Sequence, residues 1–147
     1  DEALVVALVK AGRAGVQVDL IVRGACILPV DAPGLEGRIR VRSIIGRLLE
    51  HSRVFYFKVA DVESMWLSSA DWMNRNMMRR VEIAWPIADA ENRARILQEC
   101  CQLSLDDTQD AWQLLAGGEY QPVASLARKN HEHVFSAQQA LIQQYAE

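Results

Sequence analysis

The sequence predicts an α/β protein with a mixed or parallel sheet flanked by helices. Three observations carry this expectation. Segments with the two-residue period of strands alternate with segments of helical period. The connections between them read as too long for simple hairpins. Half of the 147 residues are apolar, enough to bury one core but not two. A single domain over 1–147 is expected, with an α/β core at 1–103 and a mainly helical tail at 104–147.

In chain order, Leu4, Ala7, Leu8 and Ala11 fall at helical spacing over residues 2–12, and the small residues of "AGRAG" end that helix. "VQVDLIVRG" then alternates Val16, Val18, Leu20 and Val22 against Gln17, Asp19, Ile21 and Arg23, the pattern of a strand with Arg23 at its carboxyl end. Two prolines and two glycines make "ILPVDAPGLEG" a loop. "RIRVRSII" is a strand with Arg38, Arg40 and Arg42 on one side and Ile39 and Val41 on the other.

"GRLLEHS" reads as a helical turn or two leading to the strand "RVFYF", and "SMWLSSA" as a further strand. "DWMNRNMMRR" is polar and turn-rich. "VEIAWPI" closes the strand series at Pro86. From Asp89 the period changes: Ala90, Ala94, Leu97 and Cys101 predict an amphipathic helix to about residue 103. "DDTQDAWQLLAGG" suggests a short helix ended by Gly117. In the last helix Ser136 and Gln139 match a capping box, with Phe135 placed to staple onto Ala140.

Composition excludes several classes. No apolar run reaches the length of about 18 residues that a membrane span needs, and the first residues lack the flank and cleavage site of a secretory signal, so a cytoplasmic protein is expected. Three cysteines, two adjacent and none in a C-x-x-C pair, argue against a disulfide framework or a thiolate metal site. The absence of an initial methionine suggests a piece of a longer chain. A net charge of −3 argues against non-specific nucleic-acid binding.

Charge is unevenly distributed. Residues 38–80 hold nine Arg or Lys, eight of them Arg, against four acids, whereas residues 81–147 hold four against ten. Arginine offers a planar fork of donors that pairs bidentately with oxyanions, so the middle of the chain suits phosphate or carboxylate. Arg23 at a strand end and His51 before a strand stand where α/β folds place ligands. Taken alone, each is as readily an ordinary exposed or ion-paired residue.

The ordered stretches "VDLIVRG", "IRVRSIIGRLLEHSR" and "SSADWMNRNMMRRVE", within residues 16–87, closely resemble the C-terminal catalytic lobe of bacterial polyphosphate kinases of the phosphohistidine type. The resemblance implies a phospholipase-D-like lobe, incomplete on its N-terminal side. It implies reversible transfer of the terminal phosphate of ATP to polyphosphate, leaving ADP. The phosphorylated histidine and most of the Mg²⁺ binding would belong to a preceding lobe of the same full-length chain, so this chain alone would be inactive. ATP and polyphosphate are the implied partners, within a homo-oligomer that is cytoplasmic or peripheral to the inner membrane.

Carried over by the resemblance, Arg23 and His51 are nucleotide-phosphate contacts, with His51 catalytic but not the nucleophile. Phosphoryl transfer spreads charge over three oxygens, so such a lobe supplies positioning and positive potential. Arg23 would clamp oxygens, and His51, with an ordinary pKa of about 6.5, would hydrogen-bond or protonate one. Arg42 and Arg53 are candidates for lining a polyphosphate path, since a linear polyanion needs a run of cations. The competing reading pairs the arginines internally with Glu50, Asp61, Glu63 and Asp71.

Ser69, Asp71, Asn74 and Arg75 are expected to cap "DWMNRN". The four tryptophans are expected in the core, and His131 and His133 as a solvated pair without a metal. In phospholipase D relatives the signature is H-x-K with a later G-S-x-N. Here His51-Ser52-Arg53 and Ser68-Ser69-Ala70-Asp71 depart from it, which weakens a phosphodiesterase reading. A non-catalytic polyanion-binding or self-association module is the other alternative.

Overall fold

A computed structural model describes residues 1–24, 26–125 and 134–146. Helix α1 (Glu2–Arg13) starts at Asp1, whose carboxylate accepts from the Leu4 amide. It leads into β1 (Val18–Ile21), which pairs in parallel with β2 (Ile39–Ile44) in the register Val18 to Ile39 through Ile21 to Arg42. The strand in "VQVDLIVRG" is thus shorter than the alternation suggests. The intervening loop returns the chain so that both strands run the same way. Leu28 and Leu35 in that loop are buried with Ile39, Val41 and Leu114, and α1 covers them through Val5, Leu8 and Val9. Gly12 permits this close approach, since a Cβ there would lie 2.8 Å from Leu35 Cδ2 and 3.0 Å from Ile39 Cδ1.

Next come β3 (Val54–Val59) and β4 (Val62–Ser68), joined at Ala60 and Asp61. This is a tight hairpin, not the long connection expected. "KVADVE" lacks the glycine that usually marks such a turn, and Ala60 takes φ 51° itself. Helix α2 (Asn74–Arg79) occupies the stretch that reads as turns. Its N-cap is Met73, which makes no side-chain cap bond, so the expected capping by Asp71 and its neighbours does not occur. β5 (Ala84–Pro86) completes a three-stranded antiparallel sheet in the order β3-β4-β5, with Pro86 on its edge.

Helix α3 (Ala90–Ile96) continues through a π segment, Leu97–Gln102, into α4 (Leu103–Asp106). The predicted helix is present, but its inward stripe is shifted. Ala90 and Ala94 are exposed, while Ile96, Leu97, Cys100, Cys101 and Ser104 turn inward. The two that miss, Ala90 and Ala94, lie ahead of the π segment, and from Ile96 to Ser104 the inward residues keep ordinary helical spacing.

The expected helix in "DDTQDAWQLLAGG" is instead β6 (Ala111–Leu114), which pairs antiparallel with β2. Behind it β7 (Tyr120–Pro122) pairs with β6. The mixed sheet therefore has the order β1-β2-β6-β7, and residues from the expected helical tail supply half of it. Helix α5 (Ala137–Tyr145) follows, with Ser136 Oγ accepting from the Gln139 amide as the capping pattern predicts.

His131 and His133 lie outside the described residues. Trp66 and Trp85 are 40% and 43% exposed, which corrects the expectation that they are core. They lie on the three-stranded sheet, Trp66 in β4 and Trp85 in β5. No helix among the described residues is long and apolar enough to cross a membrane.

Candidate functional site: a guanidinium and imidazole cluster at a sheet edge

Because β1 and β2 are parallel, their carboxyl ends emerge at one edge. Arg23 stands two residues beyond β1. Residues 45–53 leave β2 without regular secondary structure and deliver Glu50, His51 and Arg53 to the start of β3. Asp71 lies three residues beyond β4, which returns alongside β3, and Ser68 N donates to the Arg53 carbonyl at 3.0 Å. Three stretches distant in sequence thus converge at the junction of the two sheets.

Asp71 holds the arginines. Arg53 Nε donates to Asp71 Oδ1 at 3.0 Å, and Arg23 Nη2 reaches Oδ2 at 3.3 Å. Arg23 Nη1 also donates to the Glu50 carbonyl at 3.2 Å. Burial favours the protonated form of Asp71, but the Arg53 hydrogen bond and the charges of Arg53, Arg23 and Arg75 outweigh it, and the carboxyl titrates below its ordinary value. Two cations are therefore gathered around one anion.

Arg53 Nη1 donates to the His51 carbonyl at 3.0 Å and lies 2.8 Å from His51 Nδ1. The same group is 3.3 Å from Nε2, so the guanidinium packs against the imidazole and not along one lone pair. His51 is itself exposed, so a ring N–H is open to a ligand. The imidazole N–H and the guanidinium donors not engaged by Asp71 can meet oxyanions.

The structure thus brings Arg23, His51 and Arg53 together, but gives Arg42 another occupation. Arg42 Nη1 donates to the carbonyls of Ser104, Leu105 and Asp107, at 3.3 Å to Ser104 and Asp107, and so caps the carboxyl end of α4. Burial lowers its pKa, as does Arg40, against the opposing carboxylates of Asp107, Asp19 and Asp106. Arg42 makes none of the site's hydrogen bonds, because the ordered end of α4 comes to lie over β2. Arg40 pairs with Asp19 at 2.6 Å on the neighbouring strand, and its pKa is raised chiefly by that bond.

Sequence reasoning gives Asp71 two readings and misses Gln138. Asp71 is expected as a cap, with pairing to arginines as the competing reading, and the pairing is what forms. Gln138, with no assigned role, binds the segment that carries His51: its Oε1 accepts from Leu48 N at 2.9 Å, and its Nε2 donates to Leu48 O and to Glu50 Oε1, each at 2.7 Å. No periodicity signals either contact, since the partners of Gln138 lie 88 and 90 residues away. For Asp71, the departure from the asparagine of the hydrolase signature is the available clue.

These carboxylates do not fit a Mg²⁺ site. Asp71 is committed to two guanidinium groups and Glu50 Oε1 to an amide, and among the described residues no group of three His, Cys, Asp or Glu is placed to hold a metal.

A mixed α/β module that gathers two guanidinium groups and an imidazole at the carboxyl edge of its parallel strand pair has the make-up of an oxyanion-binding lobe. The sequence matches the family described as "Polyphosphate kinase C-terminal domain 2" over residues 1–138, and the chain belongs to that family. The match extends well beyond residues 16–87 and takes in β6 and β7.

The chain is 49% identical over 120 residues to a polyphosphate kinase of Burkholderia lata, covering 82% of this chain and 18% of the relative. It is 46% identical over 137 residues to one of Xylella fastidiosa, covering 93% and 19%. The crystal structure of polyphosphate kinase from Porphyromonas gingivalis superposes with a TM-score of 0.87 at 34% identity, covering 97% of this chain and 21% of that one. The chain thus spans about a fifth of the length of these relatives.

Proposed function

We propose that this chain is the C-terminal lobe of an ATP:polyphosphate phosphotransferase, in which Arg23 and His51 contact the phosphate in transit. The convergence of Arg23, His51 and Arg53 around Asp71 carries this reading, beside the family membership. On this proposal a histidine of a preceding lobe attacks the terminal phosphorus of ATP. The bond to the bridging oxygen breaks, ADP leaves, and the phosphoryl group then passes to the terminal oxygen of polyphosphate. Mg²⁺ belongs mainly to that preceding lobe and offsets phosphate charge there.

This lobe's residues do electrostatic work. Arg23 binds oxygens of the transferring phosphate, His51 donates a ring N–H to another, and Arg53 orients the imidazole while extending the cationic edge toward the polymer. Preorganised donors of this kind stabilise charge that develops in the transition state without reorganising. Asp71, already paired with two arginines, is a counter-ion and not the amide donor of a phosphodiesterase signature. The assembly is proposed to be a cytoplasmic homo-oligomer, with ATP and polyphosphate as its partners.

The test is His51→Ala in the full-length protein, alongside this chain alone incubated with γ-labelled ATP. Polyphosphate synthesis is expected to fall severely with an unchanged circular dichroism spectrum, and the isolated chain to acquire no acid-labile phosphohistidine. Near-normal synthesis by the variant, or stable labelling of His51 in the chain alone, would overturn the assignment.

A further inference from the structure

Residues 45–50 cannot be held in place by burial. Ile45, Leu48 and Leu49 are 63%, 54% and 73% exposed, so the segment before His51 has almost no apolar anchorage. Polar bonds from one side do this instead. Ile45 N donates to the Asp110 carbonyl at 2.9 Å. Beyond it, the Gln138 amide closes a two-way bridge onto Leu48 and a third bond onto Glu50. Gln138 is only 5% exposed, so these bonds are largely shielded from competing water. Gly46 makes room for it, since a Cβ there would lie 2.4 Å from Gln138 Oε1.

The clamp is itself anchored. Asp107, fully buried, accepts from Asp110 N, Ala111 N and Ala137 N at 2.7, 3.0 and 2.8 Å, which joins the end of α4, the start of β6 and the first residue of α5. Ser136 Oγ donates to Asp110 Oδ2 at 2.6 Å. At the other end of the chain of bonds, the Glu50 carbonyl takes the Arg23 Nη1 hydrogen bond, and His51 is the next residue.

We propose that Gln138 is a positioning residue: its amide fixes residues 48–50 so that His51 and Arg23 meet the transferring phosphate in register. This rests on the phosphotransferase reading of the site. It assigns the C-terminal helix a part in the chemistry through the backbone of an exposed segment.

The experiment is steady-state kinetics of the full-length phosphotransferase carrying Gln138→Ala, Gln138→Glu, Gln138→Glu with Glu50→Gln, or His51→Ala. Gln138→Glu is isosteric, keeps the acceptor for Leu48 N, and loses the donor to Leu48 O and Glu50. We expect kcat to fall roughly tenfold or more, with a smaller change in KM for ATP, because misplacing a group that acts in the transition state costs turnover first. Adding Glu50→Gln returns a donor opposite the new carboxylate and is expected to recover part of the loss, which a general weakening of the fold would not show. Should Gln138→Ala fail to fold, Gln138→Glu with and without Glu50→Gln still decides. A wild-type kcat in Gln138→Glu, or a loss that Glu50→Gln does not recover at all, overturns the inference. His51→Ala separates the two levels: full activity there removes the phosphotransferase reading of the site, whereas an inactive His51→Ala beside a fully active Gln138→Glu removes the role of Gln138 alone.

Discussion

Replacing Asp71 with Asn tests whether one carboxylate organises the cationic edge. The substitution keeps the shape and the Oδ1 acceptor for Arg53 Nε, but removes the charge and the second oxygen that faces Arg23. The side chains of Arg53, Asp71 and Arg23 are 17%, 27% and 33% exposed, so both pairs feel solvent. Each is therefore worth about 1 kcal/mol, below the value of a shielded charged hydrogen bond, and the two together about 2 kcal/mol. For a domain of this size that corresponds to a fall in Tm of roughly 6 °C at pH 7.

The pH dependence makes the prediction sharper. The Asp71 pKa is depressed in the folded state, so its contribution is complete above the unfolded carboxyl value of about 3.9 and is lost as pH falls through the lower folded value. Urea unfolding of wild type and Asp71→Asn, followed by circular dichroism, should show a constant stability gap from pH 7 to about pH 5 that closes in more acid solution. No gap at pH 7, or one that stays undiminished in acid, would refute the view that Asp71 is the shared counter-ion.

Two further outcomes follow from partly buried groups. Arg42→Met should lose about 2 kcal/mol of stability in thermal melts by removing the cap on α4, with tripolyphosphate affinity by calorimetry held near wild type; normal stability with weakened binding would return Arg42 to a polyanion path. Burial, with a smaller push from Cys100, raises the Cys101 thiol to about 11, so roughly one molecule in a thousand carries its thiolate at pH 8, and disulfide reagents should label it only on unfolding. Rapid labelling of Cys101 in the native chain, read by mass spectrometry, would contradict that environment.

Legibility in the sequence follows the range of the interactions. The α1 helix, the alternation of β2 and the Ser136 cap are readable because each is decided within a few residues by period or by a local hydrogen bond. "AWQL" reads wrongly as helix for the complementary reason. Its local preferences are weak, and it becomes a strand because β2 presents an unpaired edge with Ile44 opposite Ala111 and Arg42 opposite Gln113. Ala90 and Ala94 fit the period of the long helix yet are exposed, since a period does not say how much of a helix its neighbours cover. Ala60 turns a hairpin without the expected glycine, because six cross-strand residue pairs in β3 and β4 hold the ends together around it.

The candidate site divides in the same way. Arg23 and His51 are visible because strand ends and an ordered run of motifs are properties of the linear chain, as is the concentration of arginine between residues 38 and 80. Which arginines face an anion is not visible. Arg42 and Arg53 have the same chemistry and comparable positions beside strands, yet one is drawn under the end of α4 and the other against His51 and Asp71. The α/β class, the starts of α1, α3 and α5 and the residue types suited to phosphate are thus determined by sequence alone. Tertiary packing decides the two-sheet division, the pairing of Asp71 and the grip of Gln138 on the His51 segment, because those depend on groups dozens of residues apart meeting at distances of about 3 Å, where hydrogen bonds and ion pairs take effect.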